Sequence, residues 1–318
     1  MPSDVLISEE LRELLDLDVL DGLTVEWLRE GQPVPAGSFR ALIATLTRTI
    51  GADDLARIEG LEIVANGVVG VDNIDLEAAR ARSIIVTNTP DVLTEATADL
   101  TWALMLAATR RLKEAQELMR KGAWKGWHPG LLLGMELTER TLGIVGAGRI
   151  GQAVGRRAAP FGLRVVYCNP SPKPDFETAT QARRVSLDDL LAMSDIVSLH
   201  APLTKETRGL IDESRLRQMK MGATLINTAR GGMVDEEAVL DSLDEGRLRA
   251  VGLDVFEGEP DVNRALVRHP QVVCLPHLGS ATWETRTAMA NLAAFNVAQV
   301  LAGRPAITPV VDHSPGAS

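Results

Sequence analysis

A glycine-rich turn between a predicted strand and a predicted helix is the feature that most restricts the fold of this 318-residue chain. The apolar run Thr141–Val145 predicts a buried strand. It is followed directly by Gly146-Ala147-Gly148-Arg149-Ile150-Gly151, and all of these residues except Ala147 are candidate cofactor-binding residues. The first glycine permits a tight turn, the second lets the backbone approach a pyrophosphate, and the third lets the helix pack closely on the strand. The N–H groups at the helix start favour a phosphate. The spacing therefore predicts a dinucleotide-binding turn, the alternative being glycines that serve packing alone.

Short apolar runs alternate with helical patterns along most of the chain. Predicted strands lie at residues 40–45, 61–65, 84–87, 141–145, 163–168, 196–199, 224–227, 250–253 and 272–275. Residues 94–121 predict one long helix, and residues 283–301 predict a closing helix ended by Gly303 and Pro305. Such alternation is typical of parallel sheets with helices packed on them. We therefore expect an α/β fold with two doubly wound parallel-sheet domains.

Charge and cysteine content exclude several classes of partner. The chain has 33 Lys and Arg against 43 Asp and Glu, a net charge of −10, so we expect no broad basic face for nucleic acid or an anionic membrane. Two cysteines make no disulfide framework, and the first residues have no signal-peptide pattern. The apolar runs are too short to span a bilayer. These features predict a cytoplasmic protein, with a frayed tail at residues 312–318.

The predicted strand after the glycine-rich turn ends in a loop that bears on cofactor choice. An acidic residue at position 169 would bind the ribose 2′-hydroxyl of NAD, but the chain has Asn169 there. Asn169, Ser171 and Lys173 can donate hydrogen bonds to a 2′-phosphate. We expect NADP(H) to be favoured, with NAD(H) possible. The alternative is a proline-rich loop without a role in discrimination.

Three later segments each place a reactive side chain after a predicted strand. Arg230 can bind a carboxylate and polarise a ketone oxygen. His277 can donate a proton to the developing alkoxide, and Glu259 can hold the imidazole and favour its protonated form. Together with hydride transfer from a nicotinamide, this set predicts reduction of a ketone. Taken singly, Arg230 could be a surface ion-pair partner and Glu259 a turn residue.

Taken together, the motifs resemble the D-isomer-specific 2-hydroxyacid dehydrogenases over residues 40–310. They are the Gly146 turn, His200-Ala-Pro-Leu-Thr-Lys-Glu-Thr207, Ile226-Asn-Thr-Ala-Arg-Gly-Gly-Met-Val-Asp235, Gly252-Leu-Asp-Val-Phe-Glu-Gly-Glu-Pro260 and Pro276-His-Leu-Gly-Ser-Ala-Thr282. The resemblance implies a Rossmann cofactor domain at residues 99–285, inserted in a flavodoxin-like substrate domain made of residues 1–98 and 286–318. It also implies that substrate binds in the cleft and that hinge closure excludes water.

The resemblance also implies roles for individual residues. Arg230, Glu259 and His277 would be catalytic, and no metal would be needed. The segment Asn66-Gly-Val-Val-Gly-Val-Asp72 is similar to the family's carboxylate-binding loop, in which the N–H groups of Val69 and Gly70 would hold the substrate. Further cofactor contacts would come from His200, Pro202, Thr207, Thr228, Ala229 and Asp254, the last near the nicotinamide carboxamide.

Substrate and assembly follow from the same resemblance. Gly126-Trp127-His128-Pro129 and Asn169 are similar to the glyoxylate and hydroxypyruvate reductases of the family. We therefore expect reduction of a small 2-oxo acid to the D-2-hydroxy acid. A dehydrogenase for a larger 2-oxo acid and a dinucleotide-binding corepressor-like scaffold are the alternatives. A homodimer is implied, with residues 94–133 embracing the partner, unless this segment is a local hydrophobic plug.

Overall fold

The computed structural model describes residues 3–311, so the tail predicted to be frayed lies outside the described residues. The chain divides into two units. The first combines the residues up to Leu93 with those from Ser280 onward, and the second is Thr94–Gly279. Among the described residues, no helix is long and apolar enough to cross a membrane.

The strands, in chain order, are β1 Val5–Ser8, β2 Val25–Leu28, β3 Gly37–Ser38, β4 Ala41–Ala44, β5 Ile58–Glu59, β6 Ile63–Asn66, β7 Ile85–Thr87, β8 Thr141–Val145, β9 Arg164–Cys168, β10 Arg183–Arg184, β11 Ile196–Leu199, β12 Ala223–Asn227, β13 Leu248–Leu253, β14 Val272–Cys274 and β15 Pro309–Val311. The helices are α1 Ala52–Arg57, α2 Leu76–Ala81, α3 Thr94–Thr109, α4 Leu112–Arg120, α5 Arg149–Arg156, α6 Pro174–Thr180, α7 Leu187–Met193, α8 Glu213–Gln218, α9 Glu236–Asp244, α10 Arg264–Arg268 and α11 Trp283–Leu301.

The first unit is built on a six-stranded sheet in the order β15-β7-β6-β4-β1-β2. Its pairings are parallel except that β15 runs antiparallel to β7 at one edge. All four residues of β1, of β4 and of β6 are buried. Along β4, Leu42 belongs to the hydrophobic cluster that includes Leu55 of α1 and Ala79 of α2, whereas Ile43 packs with α11 on the other face. Because both faces are covered, these strands are continuous apolar runs.

The second unit contains a seven-stranded parallel sheet in the order β10-β9-β8-β11-β12-β13-β14. The chain starts at the central strand β8, moves outward to β9 and β10, and then returns to β11 on the other side of β8. The strand order therefore reverses between β8 and β11. In open α/β sheets, ligands bind outside the carboxyl ends of the strands at such a reversal.

The predicted α/β class with parallel sheets is confirmed, but several predicted elements differ from those observed. The single helix predicted at residues 94–121 is wrong, because Arg111 has a φ of +56° and separates α3 from α4. The domain bounds expected near residues 98 and 285 fall inside α3 and α11, whereas the chain passes from one unit to the other at residues 93/94 and 279/280. Each division of the chain therefore comes at or just before the first residue of a helix and leaves α3 and α11 whole.

Candidate active site

The carboxyl ends of six strands in the second sheet lie in one row. Neighbouring strands pair residue to residue along Cys168, Val145, Leu199, Asn227, Leu253 and Cys274. The residues that follow these positions must therefore leave the sheet at the same edge. Strands are about 4.8 Å apart, so the row spans about 24 Å from β9 to β14. Five candidate site residues come directly after members of this row, namely Gly146, Asn169, His200, Thr228 and Asp254. Arg230 and His277 each come three residues after a member.

The glycine-rich turn has the geometry that a close approach to a phosphate needs. Gly146 has a φ of +92°, and a Cβ there would lie 2.6 Å from the Ala201 nitrogen. A Cβ on Gly151 would lie 2.1 Å from the Gly146 oxygen, so α5 packs directly on the turn. Gly148 is the N-cap of α5, and a Cβ there would meet no atom within 4 Å. The open space above Gly148, at a helix start, fits the pyrophosphate of a dinucleotide.

Beside this turn lies the loop from His200 to Thr207. The His200 N–H donates to the Val145 oxygen at 2.8 Å, and its Nε2 lies 2.8 Å from Ser198 Oγ. Burial lowers the pKa of His200 to about 3, so the imidazole is neutral at physiological pH and is unsuited to proton transfer. The Thr207 hydroxyl donates to the Pro202 oxygen at 2.6 Å and closes the loop on itself.

The segment after β12 is organised by a residue that the sequence analysis missed. The buried Asn227 side chain accepts from the Ala229 N–H at 3.0 Å and donates to the Arg230 oxygen at 2.9 Å. Thr228 Oγ1 lies 2.9 Å from Thr101 Oγ1 of α3. The signal in the sequence was an amide side chain at the last position of an otherwise apolar strand.

Arg230 lies where this segment packs against the segment after β13. A Cβ on Gly231 would lie 1.9 Å from the Phe256 carbonyl carbon, so only glycine permits the two backbones to come so close. Arg230 Nη1 donates to the Ala229 oxygen at 2.8 Å. The Arg230 guanidinium lies near enough to Glu259 for its positive charge to lower the pKa of that carboxyl group.

Glu259 and His277 form a directly hydrogen-bonded pair. Glu259 Oε2 lies 2.8 Å from His277 Nδ1, and Glu259 Oε1 accepts from the Phe256 N–H at 2.7 Å. Burial raises the pKa of Glu259, but the hydrogen bonds from His277 and Phe256, with the charges of His277 and Arg230, outweigh it and lower the pKa below its usual value. Glu259 therefore stays ionised and orients the imidazole. Because Nδ1 is engaged, Nε2 is the nitrogen that can exchange a proton with a substrate.

Asp254 holds the backbone around His277. Its main-chain oxygen accepts from the His277 N–H at 2.8 Å, and its carboxylate accepts from the Leu278 and Gly279 N–H groups at 2.7 and 2.8 Å. His277 has a φ of +55°, which is uncommon for a residue other than glycine, and the three successive bonds stabilise it. Burial raises the pKa of Asp254 to about 6, against the effect of these hydrogen bonds. Its side chain is only 1% exposed, so its principal partners are backbone groups.

In the first unit, the proposed carboxylate loop after β6 is held from one side. The Thr89 N–H donates to the Val68 oxygen at 3.1 Å, and Asn88 Nδ2 donates to the Val69 oxygen at 2.7 Å. In a trans peptide, N–H and C=O point in opposite directions. The N–H groups of Val69 and Gly70, which share peptides with those two oxygens, therefore point away from residues 88 and 89. This orientation suits them for binding an anion.

Comparison with known proteins gives consistent results. Residues 102–279 match the family model described as "D-isomer specific 2-hydroxyacid dehydrogenase, NAD binding domain". The chain is 50% identical over 261 residues to a glyoxylate reductase of Thermococcus kodakarensis, covering 81% of this chain and 78% of that one.

Solved structures agree with these matches. The TT0316 protein of Thermus thermophilus superimposes with a TM-score of 0.87 at 46% identity, covering 97% of this chain and 100% of that one. A glyoxylate reductase from Paecilomyes thermophila superimposes with a TM-score of 0.83 at 31% identity, covering 98% of this chain and 99% of that one.

The desolvated imidazole of His200 makes the protein sensitive to acid. The pKa of His200 is lower in the folded protein than the 6.5 of a free imidazole. The free energy of unfolding is therefore unaffected by this group above pH 6.5, and it decreases as the pH falls from 6.5 towards 3. We expect wild type to lose about 2 kcal/mol more free energy of unfolding than His200→Gln between pH 7 and pH 5. Urea denaturation of both proteins at the two pH values measures the difference. Equal losses would show that His200 is protonated in the folded protein.

Proposed function

Because the chain belongs to the D-isomer specific 2-hydroxyacid dehydrogenase family, we propose that it reduces a small 2-oxo acid, glyoxylate or hydroxypyruvate, to the 2-hydroxy acid, with NADPH as the favoured reductant. Membership makes it an oxidoreductase that uses a nicotinamide dinucleotide. The observation that carries the proposal is the 2.8 Å Glu259–His277 pair, with Arg230 close enough to act on Glu259. The glyoxylate reductase relative supports the choice of a small substrate.

The catalytic roles that we propose follow from the charges of these three side chains. Arg230 orients the oxo acid and polarises its ketone oxygen. His277, held through Nδ1 by the ionised Glu259, gives a proton from Nε2 to the oxygen that becomes the hydroxyl. In the reverse direction the same nitrogen takes the proton back. Glu259 stabilises the charged imidazole without leaving its place, because the Phe256 N–H holds its other oxygen.

The substrate carboxylate would be bound by backbone groups of the first unit. We assign this role to the N–H groups of Val69 and Gly70, because their peptide oxygens are occupied by Asn88 and Thr89 on the opposite side. Two backbone donors fit the two oxygens of one carboxylate. On this proposal the first unit is the substrate domain and the second is the cofactor domain.

The cofactor would lie along the row of strand ends in the second unit. When bound, the nicotinamide supplies the hydride for the ketone carbon. The turn at Gly146, Gly148 and Gly151 would hold the pyrophosphate, with Arg149 and Ile150 at the helix start. Residues following β11 to β13 would make further cofactor contacts. Pro202 and Thr207 would line the adenosine and phosphate side, and Asp254 would lie near the nicotinamide carboxamide. His200, Thr228 and Ala229 complete this set. Preference for NADPH is proposed because no acidic residue stands at position 169.

An oxo-acid panel run with both cofactors tests the proposed reaction. We expect oxidation of NADPH, followed at 340 nm, with kcat/KM highest for glyoxylate and hydroxypyruvate and lower for pyruvate, phenylpyruvate and 2-ketogluconate. Fastest turnover of phenylpyruvate would assign the enzyme to a larger acid. A strong preference for NADH would overturn the cofactor choice. Binding of dinucleotide without turnover of any 2-oxo acid would favour a scaffold.

His277→Ala separates proton transfer from cofactor binding. We expect kcat to fall about 10²- to 10⁴-fold, because a general acid is lost, while the Kd for the cofactor changes little. Steady-state kinetics and fluorescence titration measure the two quantities. His269→Asn is the matched control, since His269 lies before the amino end of β14, whereas His277 follows its carboxyl end, and the variant should keep wild-type kcat. An unchanged kcat in His277→Ala would remove His277 from the mechanism.

We propose a homodimer formed through α4 and the loop that follows it. No residue of α4 is buried, and Met119, Trp127 and Leu133 are 59%, 83% and 63% exposed. Such apolar side chains, clustered in one segment, are typical of an interface. Sedimentation should give about twice the 34.2 kDa of one chain.

The double variant Met119→Ser, Trp127→Ser should sediment as a monomer. Trp283→Ser is the control, because Trp283 is 65% exposed but belongs to the first unit. A monomeric wild type, or a double variant that stays dimeric, would contradict the proposed interface.

A further inference from the structure

The loop after β9, residues 169–173, is fastened to the glycine-rich turn by the side chain of Asn169. Asn169 Oδ1 accepts from the Ala147 N–H at 3.1 Å, and Nδ2 donates to the Ser171 main-chain oxygen at 2.9 Å. A carboxylate at this position would offer two oxygens to the ribose diol of NAD, whereas Asn169 offers one that Ala147 already occupies. Asn169 thus holds the loop in place, and its amide is turned towards Ser171 rather than presented to a ligand.

A second strand brings an arginine to the same loop. Arg184 belongs to β10 and pairs with Tyr167 of β9 in the parallel ladder. Its Nε donates to the Asn169 oxygen at 3.0 Å and its Nη2 donates to the Pro170 oxygen at 2.6 Å. A guanidinium has five N–H donors, so three remain after these two bonds. Arg184 is exposed, and its hydrogen bonds to described residues are these two.

The loop is also held at its other end. The Lys173 N–H donates to the Tyr167 hydroxyl at 2.8 Å, and that hydroxyl donates to Glu177 at 2.5 Å. Tyr167 is fully buried. With Pro170 and Pro172 restricting φ in between, the loop holds its conformation before any ligand arrives. Because the loop is already ordered, ligand binding loses little conformational entropy.

The charges around the loop favour an anion. Arg184 and Lys173 are its two cations, and residues 169–173 include no acid. The nearest acids along the chain, Asp175 and Glu177, belong to α6, and Glu177 accepts from the Tyr167 hydroxyl. The adenosine ribose of a dinucleotide is expected beyond the end of β9. A neutral 2′-hydroxyl would form only weak hydrogen bonds there. A 2′-phosphate would instead form charge-assisted hydrogen bonds with the remaining N–H donors of the planar guanidinium.

We propose that Arg184 is the main recognition residue for the 2′-phosphate of NADP(H). Ser171 and Lys173 add weaker donors, and Asn169 acts by holding the loop. The inference rests on the proposed function as a nicotinamide-dependent reductase, and it assigns to Arg184 the main contact that the sequence alone suggested for Asn169. No sequence pattern pointed to this residue, because Arg184 lies fifteen residues after Asn169 in a two-residue strand.

Equilibrium binding without any oxo acid tests this role. Kd values for NADPH and NADH are measured by fluorescence titration for wild type, Arg184→Gln, Arg184→Lys and Arg183→Gln. We expect Arg184→Gln to weaken NADPH binding about 10- to 100-fold, the effect of losing charged hydrogen bonds, and to change NADH binding less than about threefold. Arg184→Lys should fall between, because it keeps the charge but loses the planar fork.

Arg183→Gln is the matched control. Arg183 is the preceding residue of the same strand, is also exposed, and lies within 3.7 Å of Met193 rather than near the loop. Its Kd for NADPH should match wild type. An equal effect of the two glutamine variants would show a general effect of charge and overturn the assignment.

The remaining outcomes separate this inference from the proposed function. If wild type prefers NADPH and Arg184→Gln leaves both Kd values unchanged, the role of Arg184 is wrong while the cofactor preference stands. Weaker binding of NADPH and NADH to the same degree would mean that Arg184 only supports the loop, and would also overturn the proposal. If wild type binds NADH more tightly than NADPH, the proposed preference itself fails.

Discussion

Parallel strands of the second sheet hydrogen-bond in register from β9 to β14, and this register determines where their carboxyl ends lie. Each strand that ends in the row delivers its next residue to the same edge. Gly146, Asn169, His200 and Asp254 all occupy this first position after a strand. A slip of one residue in any pairing would reverse the faces of that strand and withdraw its side chain from the site. The buried apolar runs that specify the register are therefore also what positions the chemistry.

Buried polar side chains determine the conformation of the loops that follow these strands. The carboxylate and main chain of Asp254 receive three successive N–H groups and hold His277 in the left-handed region. Asn227 holds the segment that carries Arg230 by accepting from the Ala229 N–H and donating to the Arg230 oxygen. Groups of this kind are costly to bury unless every partner is present. Here the partners are backbone groups of the loops that bear the candidate catalytic residues, so the energy that stabilises these polar side chains also fixes the site.

The sequence predicted the strands of the second unit well, because most of them are short apolar runs bounded by turn residues. It was less successful at edges. Strand β10 is two exposed arginines with no apolar pattern, and it becomes a strand only through pairing with β9. The break between α3 and α4 was also missed, since neither glycine nor proline marks it and Arg111 adopts its positive φ without a local signal. In both places the tertiary environment overrides local preference.

The sequence by itself determined the α/β class, the glycine-rich turn and the presence of Arg230, Glu259 and His277 after predicted strands, because period, glycine spacing and residue chemistry are local properties. Tertiary structure alone decided how these groups are used. Burial lowers the pKa of His200 and keeps its imidazole neutral. The Asn169 amide donates to Ser171 within the same loop, and Arg184 reaches that loop from a different strand. Burial and pairing between distant segments are not local properties, and no pattern along a single chain records which side chains they bring within hydrogen-bond distance.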